Sequence, residues 1–100
     1  MANQENRSIV ANYFLAWFRP DEWREVKLIC PDLHDTYEEW HANAEAGVSA
    51  FEAQGDHIEK VILTADELGQ RERAIGRKID QSERMSMAAE IGSKRNSTSH

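Results

Sequence analysis

The side chains best equipped for chemistry crowd into "LHDTYEEWH", residues 33–41. Glu38 and His41 form Glu-x-x-His, a spacing that sets both groups on one helix face. Di-iron carboxylate bundles use such pairs, together with a second pair and two more glutamates. A homodimer duplicates the pair, and Glu45 follows one turn beyond His41. Other helices would have to supply the remaining ligands. The expectation is therefore no metal and no cofactor, with Glu38 and His41 as the candidate ligands and a His41–Glu45 contact as the plain alternative. Cys30, His34 and His41 are ligand types too, but they lack the close paired spacings of zinc sites. His34 and Asp35 precede a helix start, where Asp35 serves better near the cap than as a general base. A catalytic acid or base needs a pocket and a shifted pKa, and no phosphate loop or nucleophile motif occurs. Catalysis is not expected.

Charge narrows the partners. The net charge is −6 over 100 residues, which opposes general affinity for nucleic acid, since phosphate binding relies on cationic side chains. It also opposes docking on an anionic membrane. The distribution is uneven: residues 1–70 carry a net −9 and residues 71–100 a net +3. A basic end on an acidic body either binds a partner or folds back onto its own protein, and opposite fields favour the second. Residues 64–75, the turn "GRKI" and residues 80–91 resemble a helix-turn-helix in outline, with Arg71, Arg73, Arg77 and Lys78 adding charge. The helix that would read bases offers Arg84 against Glu83 and Glu90, a poor match for phosphates and base edges.

These groups must be held by a small scaffold. A chain of this length fits one domain and buries only about 60–65 % of its unfolded surface. Cys30 is the only cysteine, so no internal disulfide forms, as suits a reducing cytosol. Between "KLI" and Pro31 it reads as a buried, inert thiol. Residues 9–18 are too few to span a bilayer as a helix, and no secretory signal pattern is evident. A cytoplasmic protein is expected.

The elements follow from periodicity and caps. Residues 1–6 are polar and are expected to fray. Ile9, Val10, Tyr13, Phe14, Trp17 and Phe18 step by one and three, which favours a helix; a strand with both faces apolar is the competing reading. Pro20 breaks that run. Asp21 opens a second helix carrying Trp23, Val26 and Ile29, which Pro31 stops; "VKLIC" is its strand alternative. Thr36 with Glu39 forms a capping box, starting a helix with Tyr37, Trp40, Ala44, Val48 and Phe51 on one stripe and Gly55 as its left-handed cap. Gly47 inside it costs about 1 kcal/mol relative to Ala, and close packing is the expected reason. "HIEKVIL", residues 57–63, reads as a strand, with Ile58 and Ile62 facing one way and Val61 and Leu63 the other. Thr64 and Glu67 open a helix ended by Gly76. Asp80 and Glu83 open a last one to about residue 91, anchored by Met85, Ala88 and Ile91.

One strand cannot stand alone, because its N–H and C=O groups need partners. Those partners come from an N-terminal strand, from "VKLIC", or from the same strand of a second copy. The last two helices carry thin apolar stripes and need a surface to dock on. Five of the eight aromatic residues lie within residues 13–23, more than one small core requires. Trp17 and Phe14 are expected in the core, and a subunit contact is expected to include Tyr13, Phe18, Trp23, Ile58 and Ile62; the plain alternative is that all five crowded aromatics fill one core.

The ordered segments "AWFRPDEW", "HDTYEEW", "AEAGVSAFEAQG" and "IEKVIL" resemble a family of short bacterial proteins of unknown function, over roughly residues 13–89. The resemblance implies a bacterial cytosolic origin and brings no activity or catalytic residue. The chain departs from it after the strand, where "DELGQRERAIG" lacks a Trp and a Cys.

The reading is an α+β, predominantly helical domain over residues 1–91, with four to five helices around one central short strand at about 57–63, paired across a homodimer or with an N-terminal strand. Residues 92–100 are expected to form a disordered polar tail. The expected function is a non-catalytic interaction or accessory protein acting as a homodimer, without membrane or nucleic-acid partners. The alternatives are a DNA-associated regulator using the basic C-terminal helices, and a metal-dependent enzyme using Glu38 and His41.

Overall fold

The computed structural model describes residues 12–98, with side chains placed through residue 95. The expectations for residues 1–6, and for Ile9 and Val10, lie outside the described residues. Strand β1 (Asn12–Trp17) pairs in parallel with β2 (His57–Ile62), Tyr13 opposite Ile58 and Trp17 opposite Ile62. Leu63 extends the ladder, its N–H donating to the Trp17 carbonyl at 2.9 Å. The partner of β2 is thus an N-terminal strand of the same chain, and the helix expected over residues 9–18 is corrected. Both faces of β1 are covered by helices, so its alternation of apolar and polar residues is lost. Spacing alone then imitates a helical stripe.

Parallel strands need a long connection. Here it holds a 3-10 turn (Pro20–Glu22), α1 (Trp23–Ile29) and α2 (Tyr37–Ala53). "VKLIC" therefore belongs to a helix and its cap. After β2 come α3 (Ala65–Ile75) and α4 (Gln81–Thr98). The product is an α+β fold, mostly helical, with a two-stranded sheet.

Local chemistry sets the boundaries. At α2, Thr36 Oγ1 accepts from the Glu39 N–H, and Glu39 accepts from the Thr36 N–H. Thr64 and Glu67 repeat the arrangement at α3. Gly76 closes α3 at φ 75°, a left-handed conformation that side chains disfavour. The Glu22 carboxylate accepts from the Ala65 N–H at 2.9 Å, so the 3-10 turn adds a negative charge at the positive end of α3.

The two faces of β1 meet different helices. Tyr13 and Trp17 look toward α2, where Tyr13 meets Phe51 and Trp17 meets Trp40 with ring centroids 5.2 and 4.9 Å apart. Phe14 looks toward α4. That helix buries Arg84, Met87, Ala88 and Gly92, with Ile91 half-buried, so the steps are three, one, three, one. Met85, expected as an anchor, lies off this stripe and is 59 % exposed. α4 also continues past residue 91 to Thr98, through residues assigned by sequence to the tail. Gly92 does not stop it; a Cβ there would stand 2.7 Å from Phe14 Cγ and closer still to two other ring carbons. Glycine lets the helix lie against the Phe14 ring.

Candidate functional site: a groove along the free edge of β1

An aromatic cluster anchors the site. Trp40 packs against Trp17, Phe18, Trp23 and Tyr37 at centroid distances of 4.9, 5.0, 5.7 and 5.4 Å. Aromatic pairs at these separations add to their area burial. Most of the crowded aromatic segment therefore fills one core. Phe18 is 2 % exposed, and Trp23 and Ile58 are buried as well. The side chains of these three expected interface residues are thus packed within their own chain. Ile62 is half-buried, and Tyr13 is 44 % exposed.

A polar clasp closes one end of this core. Arg84 donates to both carboxylate oxygens of Asp32, at 2.9 and 3.0 Å, and to the Ile79 carbonyl at 3.0 Å. The guanidinium is buried, so it requires these acceptors. Its hydrogen bonds hold the Asp32 carboxyl below the usual carboxylate range. Burial pulls Arg84 toward release of its proton, but the bonds to Asp32 more than offset this and its pKa rises. Lys27 Nζ fixes the same loop by donating to the carbonyls of Pro31 and Leu33, at 2.9 and 2.7 Å. Cys30 lies beneath the clasp with no exposed surface, and burial pushes its thiol up despite the neighbouring cation. It is a packing residue rather than a nucleophile.

Between α2 and α4 runs an open groove of about 620 Å³. Its floor is β1, from Tyr13 to Ala16, with Ile58 of β2 beside Tyr13; its walls include Ala44, Gly47 and Phe51 of α2 and Met85 of α4; Asp32, His34 and Arg84 line it as well. Consecutive residues of a strand point to opposite faces. A groove touching four in a row therefore follows the strand's edge. This edge is the one turned away from β2. In a parallel ladder, the N–H and C=O of a given residue point to the same neighbour. Trp17 bonds toward β2 through its carbonyl, and so do Tyr13 and Leu15 by parity. The backbone groups of Asn12, Phe14 and Ala16 face the groove, and among the described residues no hydrogen bond engages them.

The other candidates are placed elsewhere. Glu38 is exposed. His41 pairs with Glu45 at 3.3 Å and stacks on Tyr37, as the plain alternative has it. Among the described residues, no three His, Cys, Asp or Glu side chains converge in a metal-binding group. The basic end is engaged with acids of its own chain. Arg71 pairs with Glu83 at 2.8 Å and Glu90 at 2.6 Å, Lys78 with Glu72 at 2.9 Å, and Arg77 with Asp80 and Glu83 at 3.6 and 3.5 Å. Among the described residues no helix is long and apolar enough to cross a membrane.

Phe51, Met85 and the Asp32–Arg84 clasp carry no motif in the sequence, since their juxtaposition depends on contacts between distant segments. The one available signal was that residues 12–18 contain no charge. Comparison with family models, curated proteins and solved structures returns no match for this chain.

Proposed function

We propose that this protein is a non-catalytic interaction protein that acts as a homodimer. The observation that carries this reading is the apolar edge groove. Around it, Tyr13, Phe51 and Met85 are 44, 43 and 59 % exposed. A chain this small gains by covering such a surface, and exposed apolar patches mark association sites. Aromatic residues and Met suit protein contacts. An uncharged edge strand adds to the case, because natural proteins usually protect such edges with charge, proline or a covering segment.

Sedimentation equilibrium across a broad concentration range tests the reading. A monomer–dimer equilibrium supports it, and Tyr13→Lys, which puts a charge at the groove, should shift that equilibrium toward monomer. A single monomeric species at every concentration refutes it.

A further inference from the structure

We propose that the homodimer forms by antiparallel pairing of β1 with β1 of a second copy, about a two-fold axis at Leu15, giving a four-stranded sheet in the order β2, β1, β1, β2. This inference rests on the homodimer reading and specifies how the groove is filled. The unpaired backbone groups define the occupant. Asn12, Phe14 and Ala16 present N–H and C=O groups on one edge, a ladder that an extended strand completes. With the axis at Leu15, Phe14 of one copy lies opposite Ala16 of the other, and Asn12 opposite Phe18. Phe14 and Ala16 are groove-facing by parity within β1, so each Phe14–Ala16 pair exchanges two hydrogen bonds. No register slip is needed, and one patch serves both copies, as a two-fold contact requires.

Charge complementarity favours the antiparallel direction. The Phe18 end of the strand continues into Arg19, an exposed residue with no carboxylate partner among the described residues, two positions before the exposed Asp21. The Asn12 end lies beside the last turn of α2 and the start of β2, where Glu52 and Asp56 have no cationic partner among the described residues. Antiparallel pairing sets Arg19 of each copy beside the acidic end of the other, whereas parallel pairing sets the two Arg19 side chains together and the two acidic ends together. Between these ends the strand is uncharged, so no like charges meet along the paired strands themselves. Gly47 fits the same arrangement. It lies in the groove wall, and nothing within 4 Å surrounds the place where a Cβ would stand. The close packing expected for it is therefore absent among the described residues. A second copy seated in the groove would supply it.

The test uses the full chain with Leu15→Cys, oxidised gently and read on non-reducing gels with mass spectrometry of the linked peptide. Across a two-fold axis, residue 15 faces itself as a non-hydrogen-bonded pair, with Cα atoms about 4.5 Å apart, within reach of a disulfide. Tyr13→Cys is the control: its copies would stand about 14 Å apart along the strands, at about 3.4 Å per residue. Selective linkage at position 15 is the expected result. Ala16→Pro removes an N–H that faces the groove rather than β2, so it should leave the circular dichroism unchanged and abolish the dimer. A dimer by sedimentation that does not link at position 15, or links equally at position 13, overturns the pairing while the homodimer reading stands. A monomer at all concentrations overturns both. Should Ala16→Pro fail to fold, the two cysteine variants still decide.

Discussion

Asp32 lies at the surface, yet replacing it should cost as much as a core substitution. Its side chain is 46 % exposed, whereas that of its partner Arg84 is only 9 % exposed. Asp32→Asn keeps the shape and removes the charge. The guanidinium then stays buried facing neutral acceptors, the new amide oxygen and the Ile79 carbonyl, with an NH2 donor where one carboxylate oxygen had accepted. Stripping one partner from a fully buried pair costs about 3–5 kcal/mol. Exposure of Asp32 admits water and weakens the pair, so the expected loss is about 2–3 kcal/mol. At about 4–8 °C per kcal/mol for a domain of this size, the melting temperature should fall by roughly 8–24 °C. Urea denaturation followed by circular dichroism measures it, and the dependence on pH gives a second check. The folded Asp32 carboxyl is lowered, so its contribution is complete above the unfolded value of about 3.9 and is lost as pH falls through the lower folded value. The gap between wild type and Asp32→Asn should thus be full at pH 7 and close in acid. Arg84→Met combined with Asp32→Asn should recover part of the loss, because no buried charge is then stranded. A cost of about 0.5 kcal/mol or less at pH 7, the range of ordinary surface substitutions, would refute this view of the clasp.

Three further outcomes are expected. Trp40→Ala should cost about 3–5 kcal/mol and largely unfold the domain, as near-ultraviolet circular dichroism would show; unchanged melting would mean that Trp40 is not the hub of the aromatic core. Gly92→Ala should cost about 1–3 kcal/mol, the range for overpacking, by driving a methyl into the Phe14 ring, and Phe14→Leu in the same chain should relieve it in urea denaturation. Thr64→Ala should cost about 1 kcal/mol through the lost α3 cap, seen as earlier denaturant melting with an unchanged slope.

The features that sequence reveals here are those decided by neighbours in the chain. Thr36 with Glu39, Thr64 with Glu67 and the left-handed glycines announce their helix ends, because capping is local chemistry. The strand at residues 57–63 is legible from its branched side chains, and its need for a mate is legible from backbone hydrogen bonding alone. The identity of that mate is not. Tyr13, Phe14, Trp17 and Phe18 keep helical spacing although they form a strand, since a strand covered on both faces loses its alternation. Met85 and the helix end expected at about residue 91 mislead for a related reason. The face that α4 buries is set by Phe14 and Asp32, both more than 50 residues away, and a weak apolar stripe cannot announce its own orientation. The metal candidates Glu38 and His41 are correctly placed on one helix, but the aromatic neighbour Tyr37 and the acid Glu45 take up the imidazole. The groove itself belongs to no segment; it exists because two helices flank a strand edge.

Amide hydrogen exchange at Phe14 and Ala16, followed by NMR as a function of protein concentration, tests the edge-pairing account most directly. At high dilution these two amides should exchange quickly while Leu15, bonded to β2, stays protected; at high concentration all three should be protected together. Rapid exchange of Phe14 and Ala16 at every concentration, or equal protection in the most dilute sample, would contradict it.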